Sequence, residues 1–133
     1  MDRKEFLKTT GLAGGTLLFA RYPELSPADK KIRIGMITDL HHDIMHDGIV
    51  RLSAFINEMN AESPDFIIQG GDFCVPKEAN TPLLDVWNQF KGDKYHVIGN
   101  HDNDGGYTRD QVVEFWKAKS RYYSFDKNGF HFV

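Results

Sequence analysis

Tyr95-His96-Val97-Ile98-Gly99-Asn100-His101-Asp102 joins a run of strand-forming residues directly to a glycine and three polar side chains. The same junction occurs twice upstream. Ile32 to Thr38 runs into Asp39-Leu40-His41, and Asp65 to Gln69 runs into Gly70-Gly71-Asp72. Between these runs lie segments of helical period, so the chain reads as βαβαβ units building a largely parallel sheet, an α/β fold. In such sheets the carboxyl ends of the strands form the crevice where ligands sit. The three junctions should therefore deliver their polar groups to one place.

The connecting segments carry start and stop signals. Asp47 is a plausible cap for a helix with Ile49, Leu52, Phe55, Ile56 and Met59 on one stripe, closing before Pro64. Thr81-Pro82 reads as a cap and first helical residue, with Leu83, Leu84, Trp87 and Phe90 buried and Gly92 as the stop. Thr108 with Gln111 three residues on is a capping-box pattern ahead of Val112, Phe115 and Trp116. Tyr122 to Phe125 and Phe130 to Val133 flank Asp126-Lys127-Asn128-Gly129, and Asn-Gly between aromatic runs predicts a β-hairpin.

Asp39-x-His41 offers a carboxylate and an imidazole two residues apart, on the same side of the chain if it stays extended. Alone this pair, like Gly71-Asp72, is common in loops and turns. Gly99-Asn100-His101-Asp102 is more specific, since four fixed residues arise by chance in a chain this long on the order of one time in a thousand. His101 can serve as a metal ligand or as a general acid, and Asp102 as the partner of its ring or as a cap for the turn that follows. His42 and His46 are expected to face solvent near the site. His96 and His131 lie within strands, where packing is the default explanation.

Together, and in this order after three strands, Asp39-x-His41, Gly71-Asp72 and Gly99-Asn100-His101-Asp102 resemble the first three motif blocks of the calcineurin-like metallophosphoesterases. The resemblance extends from about Lys31 to Val133. It implies the N-terminal half of that family's α/β sandwich, and a hydrolase of phosphodiesters or phosphomonoesters that uses two metal ions (Mn, Fe, Zn or Mg). It further implies that Asp39 and His41 hold the first metal, that Asp72 bridges both, that Asn100 binds the second through its amide oxygen, and that His101, with Asp102, acts on the substrate. Val75 stands where purple acid phosphatases carry a tyrosine, which points to the broader Asp-x-His branch. Family members complete the site with a further histidine and a Gly-His-x-His block. Here the later histidine is His131 and no Gly-His follows, so the chain is expected to hold a truncated domain with an incomplete site. A catalytically inactive metal- or phosphate-binding remnant is the alternative function.

The chain has 133 residues and a formal net charge of -3, with no run of Lys or Arg, which disfavours nucleic acid as a partner and favours a small phosphate ester met through metals. Cys74 is the single cysteine, so an internal disulfide and a Cys-rich zinc site are excluded. Residues 1–20 read as an export signal. Arg3-Lys4-Glu5-Phe6-Leu7-Lys8 resembles a twin-arginine leader with Lys4 in place of the second arginine, and the following run Gly11 to Ala20 is too short for a stable membrane span. Residues 21–30, with Pro23 and Pro27, read as a linker and residues 31–133 as a partial catalytic domain, and the protein is expected to be exported to the periplasm. Oligomeric state is left open by the sequence.

Overall fold

The computed structural model describes residues 31–133, so the expected leader and linker lie outside the described residues. Three parallel strands, β1 (Ile34–Ile37), β2 (Phe66–Gln69) and β3 (Asp93–His96), form one sheet in the order β1-β2-β3. Helix α1 (Gly48–Glu62) links the first two strands and α2 (Thr81–Trp87) the next two. Helix α3 (Arg109–Trp116) follows, and the antiparallel hairpin of β4 (Phe125–Lys127) and β5 (Phe130–Phe132) ends the chain. This is the βαβαβ-plus-hairpin order expected from the sequence. No helix among the described residues is long and apolar enough to cross a membrane.

The strands alternate as a two-faced sheet requires. Ile67 and Gln69 point toward the helices, where Leu52, Ile56, Leu83, Trp87, Val112 and Trp116 are buried with Phe73 in one core. Each aliphatic side chain fully buried there contributes roughly 1.5–3 kcal/mol. On the opposite face the hairpin covers Phe66, whose ring meets Phe125 at 5.3 Å and Phe132 at 5.2 Å between centroids. Asp65 pins that arrangement, accepting from Arg33 N at 2.7 Å and from Asn128 Nδ2 at 2.7 Å. Among the described residues nothing covers the rest of that face, with Met36 64% and Val97 45% exposed.

Several element ends differ from expectation. Asp47 occupies the N-cap of α1 but its side chain makes no capping bond, and Ile49 is exposed, so the buried stripe is narrower than its period suggests. The cap of α2 is Asn80, with Thr81 the first helical residue, and the helix stops at Trp87, well short of Gly92. Strand β3 begins at Asp93, not Tyr95, because Phe66–Gln69 pairs in register with Asp93–His96. Val97 donates one more bond, to Gln69 O at 3.0 Å, before the chain turns into Gly99. The capping box of α3 is formed in both directions between Thr108 and Gln111.

Candidate metal centre

Two strand ends meet first. Beyond β1, Asp39 N bonds to Gly71 O at 3.1 Å, His41 N to Asp72 O at 2.8 Å and His42 N to Phe73 O at 3.1 Å. The segment after β1 thus rides on the segment after β2. Each is anchored from below: Leu40, between the two polar residues, is 0% exposed, and Phe73, next to Asp72, is 1% exposed. Asp39 and His41 do not share a strand face as an extended Asp-x-His would. Their φ angles are 53° and 45°, and that of Asp72 is 55°, so all three lie in the left-handed region. Each such residue costs on the order of 1–3 kcal/mol, and clusters of them mark functional sites.

The consequence of that backbone is convergence. His41 Nε2 lies 3.8 Å from Asp39 Oδ1 and 3.6 Å from Asp72 Oδ2. One donor atom from each of the three residues falls within 4.8 Å of the others. Ligands about 2.1 Å from a common cation stand at most about 4.2 Å apart, so small side-chain rotations close the set on one ion. Two carboxylates and an imidazole suit Mn, Fe, Zn or Mg. The donor set therefore fits a divalent metal, and it is the group among the described residues that meets the spacing for one.

The third strand end closes the site through backbone contact. A methyl group at Gly71 would lie 2.9 Å from Gly99 Cα, and one at Gly99 would fall on the Asp72 carboxylate and 2.5 Å from Asp72 N. Only glycine allows the two segments to touch this closely. Across that contact His101 N donates to Asp72 Oδ1 at 3.0 Å, and the His101 ring stands 5.3 Å from that of His41 between centroids. Asn100 is exposed at the head of the 3-10 turn His101–Gly106, and its side chain makes no capping bond.

Asp102 departs from its expected role. It is 1% exposed, and its oxygens accept from the backbone N–H groups of Phe73 (2.6 Å), Cys74 (3.1 Å), Asp72 (2.9 Å) and Gly99 (2.7 Å). Burial pushes its pKa up, against those donors, which favour the ionised form. With its lone pairs so used, Asp102 clamps the Asp72 segment to the Gly99 segment and does not hold the His101 ring. Asp104 does that, its Oδ2 lying 2.7 Å from His101 Nδ1, and this bond holds the His101 pKa above its ordinary value.

Asp43 was also missed by sequence reasoning. Its carboxylate accepts from Val75 N (2.7 Å) and Asn80 Nδ2 (2.9 Å) and pairs with Lys77 Nζ at 2.6 Å. Burial alone would raise its pKa, but Lys77, Asn80 and the Val75 N–H together hold it below the usual range. It latches the segment after β2 onto that after β1. A lone aspartate among polar loop residues carries no spacing signal that could have singled it out.

A cleft of about 210 Å³ lies at this point, with Asp43, Asp72, Asp102, Asp104, His41 and His101 among its lining residues. A larger apolar cleft of about 410 Å³ lies on the open sheet face and has no carboxylate among its lining residues. His42 is half-buried, not solvent-facing, its ring packed over Gly48 with no hydrogen-bond partner for Nδ1 among the described residues, whereas His46 is exposed. His96 packs as expected. Its ring lies against Trp116 and accepts from Trp87 Nε1 at 3.2 Å, and burial lowers its pKa to about 4. His131, expected to pack within its strand, is instead exposed and pairs with Asp126 in the hairpin at 2.7 Å.

The family model for calcineurin-like phosphoesterase matches residues 32–132. No curated protein and no solved structure gave a significant match.

Proposed function

Because the chain belongs to the calcineurin-like phosphoesterase family, we propose that it hydrolyses small phosphate esters, diesters or monoesters, with metal ions held at the ends of β1, β2 and β3. The observation that carries this reading is the convergence of Asp39, His41 and Asp72 within 4.8 Å. In the proposed site these three hold the first ion, Asp72 is shared with a second, and Asn100 offers its amide oxygen to that second ion. Bound there, the ions supply positive charge for the phosphoryl oxygens and make a water acidic enough to attack near neutral pH.

The charge of the cleft supports the need for cations. Asp39, Asp43, Asp72, Asp102 and Asp104 crowd the region, and Lys77 is engaged by Asp43, so the metal-free cleft would repel a phosphate. The chain's own proton carrier is His101. As the bond from phosphorus to the attacking oxygen forms and the bond to the leaving oxygen breaks, His101 gives the leaving oxygen its proton. Asp102 keeps the Asp72 and Gly99 segments in contact so that these groups stay in place.

The test is hydrolysis of bis(4-nitrophenyl) phosphate and 4-nitrophenyl phosphate with added Mn²⁺, Zn²⁺ or Fe²⁺, for the whole chain and for Asp72→Asn. Metal-dependent turnover that Asp72→Asn abolishes is expected of the protein with the family's downstream histidine ligands in place. Tight metal binding without turnover would instead establish the non-catalytic binding function, and neither binding nor turnover would overturn both. The leader is proposed to direct export, on its resemblance to a twin-arginine signal.

A further inference from the structure

We propose that Asp104, outside the motif blocks, is a positioning residue that fixes the tautomer of His101: it accepts a hydrogen bond from Nδ1–H, so the proton stays on Nδ1 and Nε2 is left for the substrate. This rests on the reading of His101 as the group that faces the phosphate ester.

The geometry is specific. The 3-10 turn that begins at His101 breaks at Asp104, whose φ and ψ of -61° and 159° are extended. Gly105 (φ 75°) and Gly106 (φ 88°) then carry the chain round in the left-handed region. Room does not select these glycines, since a methyl at Gly105 would meet nothing closer than 3.8 Å and one at Gly106 nothing within 4 Å. The backbone turn selects them. Its effect is to return the Asp104 carboxylate to 2.7 Å from His101 Nδ1. The neighbouring carboxylate, Asp102, does not compete, being occupied by the backbone donors of Asp72, Phe73, Cys74 and Gly99.

An ionised carboxylate can only accept, so the ring nitrogen it faces must carry the proton. When His101 is charged, Nδ1–H stays with Asp104 and the Nε2 proton is the one it can give up. After that transfer the neutral ring is left as the Nδ1–H tautomer. A second nitrogen fixed in this way by an outer carboxylate is a general means of setting a histidine's orientation.

The experiment reads the tautomer directly, without turnover or metal. The ¹⁵N ring shifts of His101 are measured in the whole chain at alkaline pH, above the range in which they still change with pH, and assigned by comparison with His101→Gln. The wild type should place the proton on Nδ1. Asp104→Ala should move the ring toward the mixture of a free histidine side chain, in which Nε2–H predominates, whereas Asp104→Asn, turned to offer its amide oxygen, should retain most of the Nδ1–H form. Equal tautomer populations in wild type and Asp104→Ala would overturn the proposal, as would an Nε2–H tautomer in the wild type. Hydrolysis then separates this inference from the function on which it rests. Asp104→Ala should slow an alkyl phosphate about tenfold or more and a nitrophenyl ester far less, because a good leaving group needs little help from an acid. Absence of hydrolysis in the wild type would count against the proposed function and leave the tautomer result standing.

Discussion

Replacing Asp102 by asparagine changes one oxygen to an amide nitrogen and almost nothing in shape, yet it should be among the most damaging substitutions in the chain. One oxygen accepts from Phe73 N and Cys74 N, the other from Asp72 N and Gly99 N. Whichever way the amide is turned, its NH₂ faces two backbone donors that then have no acceptor. A buried donor left unpaired costs about 1–3 kcal/mol, so Asp102→Asn should destabilise by about 2–6 kcal/mol. Asp102→Ala, which removes both acceptors, should cost at least as much. Set against a typical total stability of about 5–15 kcal/mol, this is a large fraction. Urea unfolding followed by circular dichroism is a direct assay. With a slope of about 2 kcal/mol per M, the asparagine variant's midpoint should fall by about 1–3 M. Had Asp102 served only to orient the His101 ring, stability would hardly move. A loss under about 1 kcal/mol for Asp102→Asn would therefore refute its role as a clamp.

Three further outcomes are expected. His96 is held near pKa 4 in the fold against about 6.5 when unfolded; the unfolded chain then binds more protons between these values, so stability is full above about pH 7 and falls as pH drops through that window. The loss between pH 6.5 and 5 should be about 2 kcal/mol, and urea titrations of His96→Gln should lack it; an unchanged pH slope in that variant would contradict the assignment. Gly99→Ala should separate the Asp72 and His101 segments, lowering both stability and metal affinity, whereas wild-type affinity in a folded Gly99→Ala would show that the close contact is unnecessary. A reporter fused to residues 1–30 should be exported, and its retention unprocessed in the cytoplasm would remove the periplasmic assignment.

How much of this was legible in the sequence follows from what each feature depends on. Helices α1 and α3 and the hairpin rest on local periodicity, caps and the Asn128-Gly129 turn, whose φ angles of 50° and 78° are those such a turn demands. These came through. The start of β3 depends on register with β2, a non-local matter that an apolar run does not encode, and the polar Asp93-Lys94 was therefore passed over. At the site, strand ends brought Asp39, His41 and Asp72 into view because each follows a strand. The way they meet was hidden, since it needs left-handed backbone at all three and the long-range ladder from Asp39 to Phe73. Asp102 was misread because its nearest neighbour in sequence is His101, while its hydrogen-bond partners at Asp72, Phe73 and Cys74 lie about thirty residues earlier. Asp104 could have been found: Asp-Gly-Gly three residues after a histidine signals a turn able to bring a carboxylate back to the ring.

The central claim is that Asp39, His41 and Asp72 form a cation site, and calorimetric titration of Mn²⁺ into the whole chain tests it most directly. The wild type should bind, with Asp72→Ala and His41→Ala each weakening binding by at least tenfold, while His131→Ala, remote in the hairpin, leaves it unchanged. Equal Mn²⁺ affinity in wild type and Asp72→Ala would contradict the account.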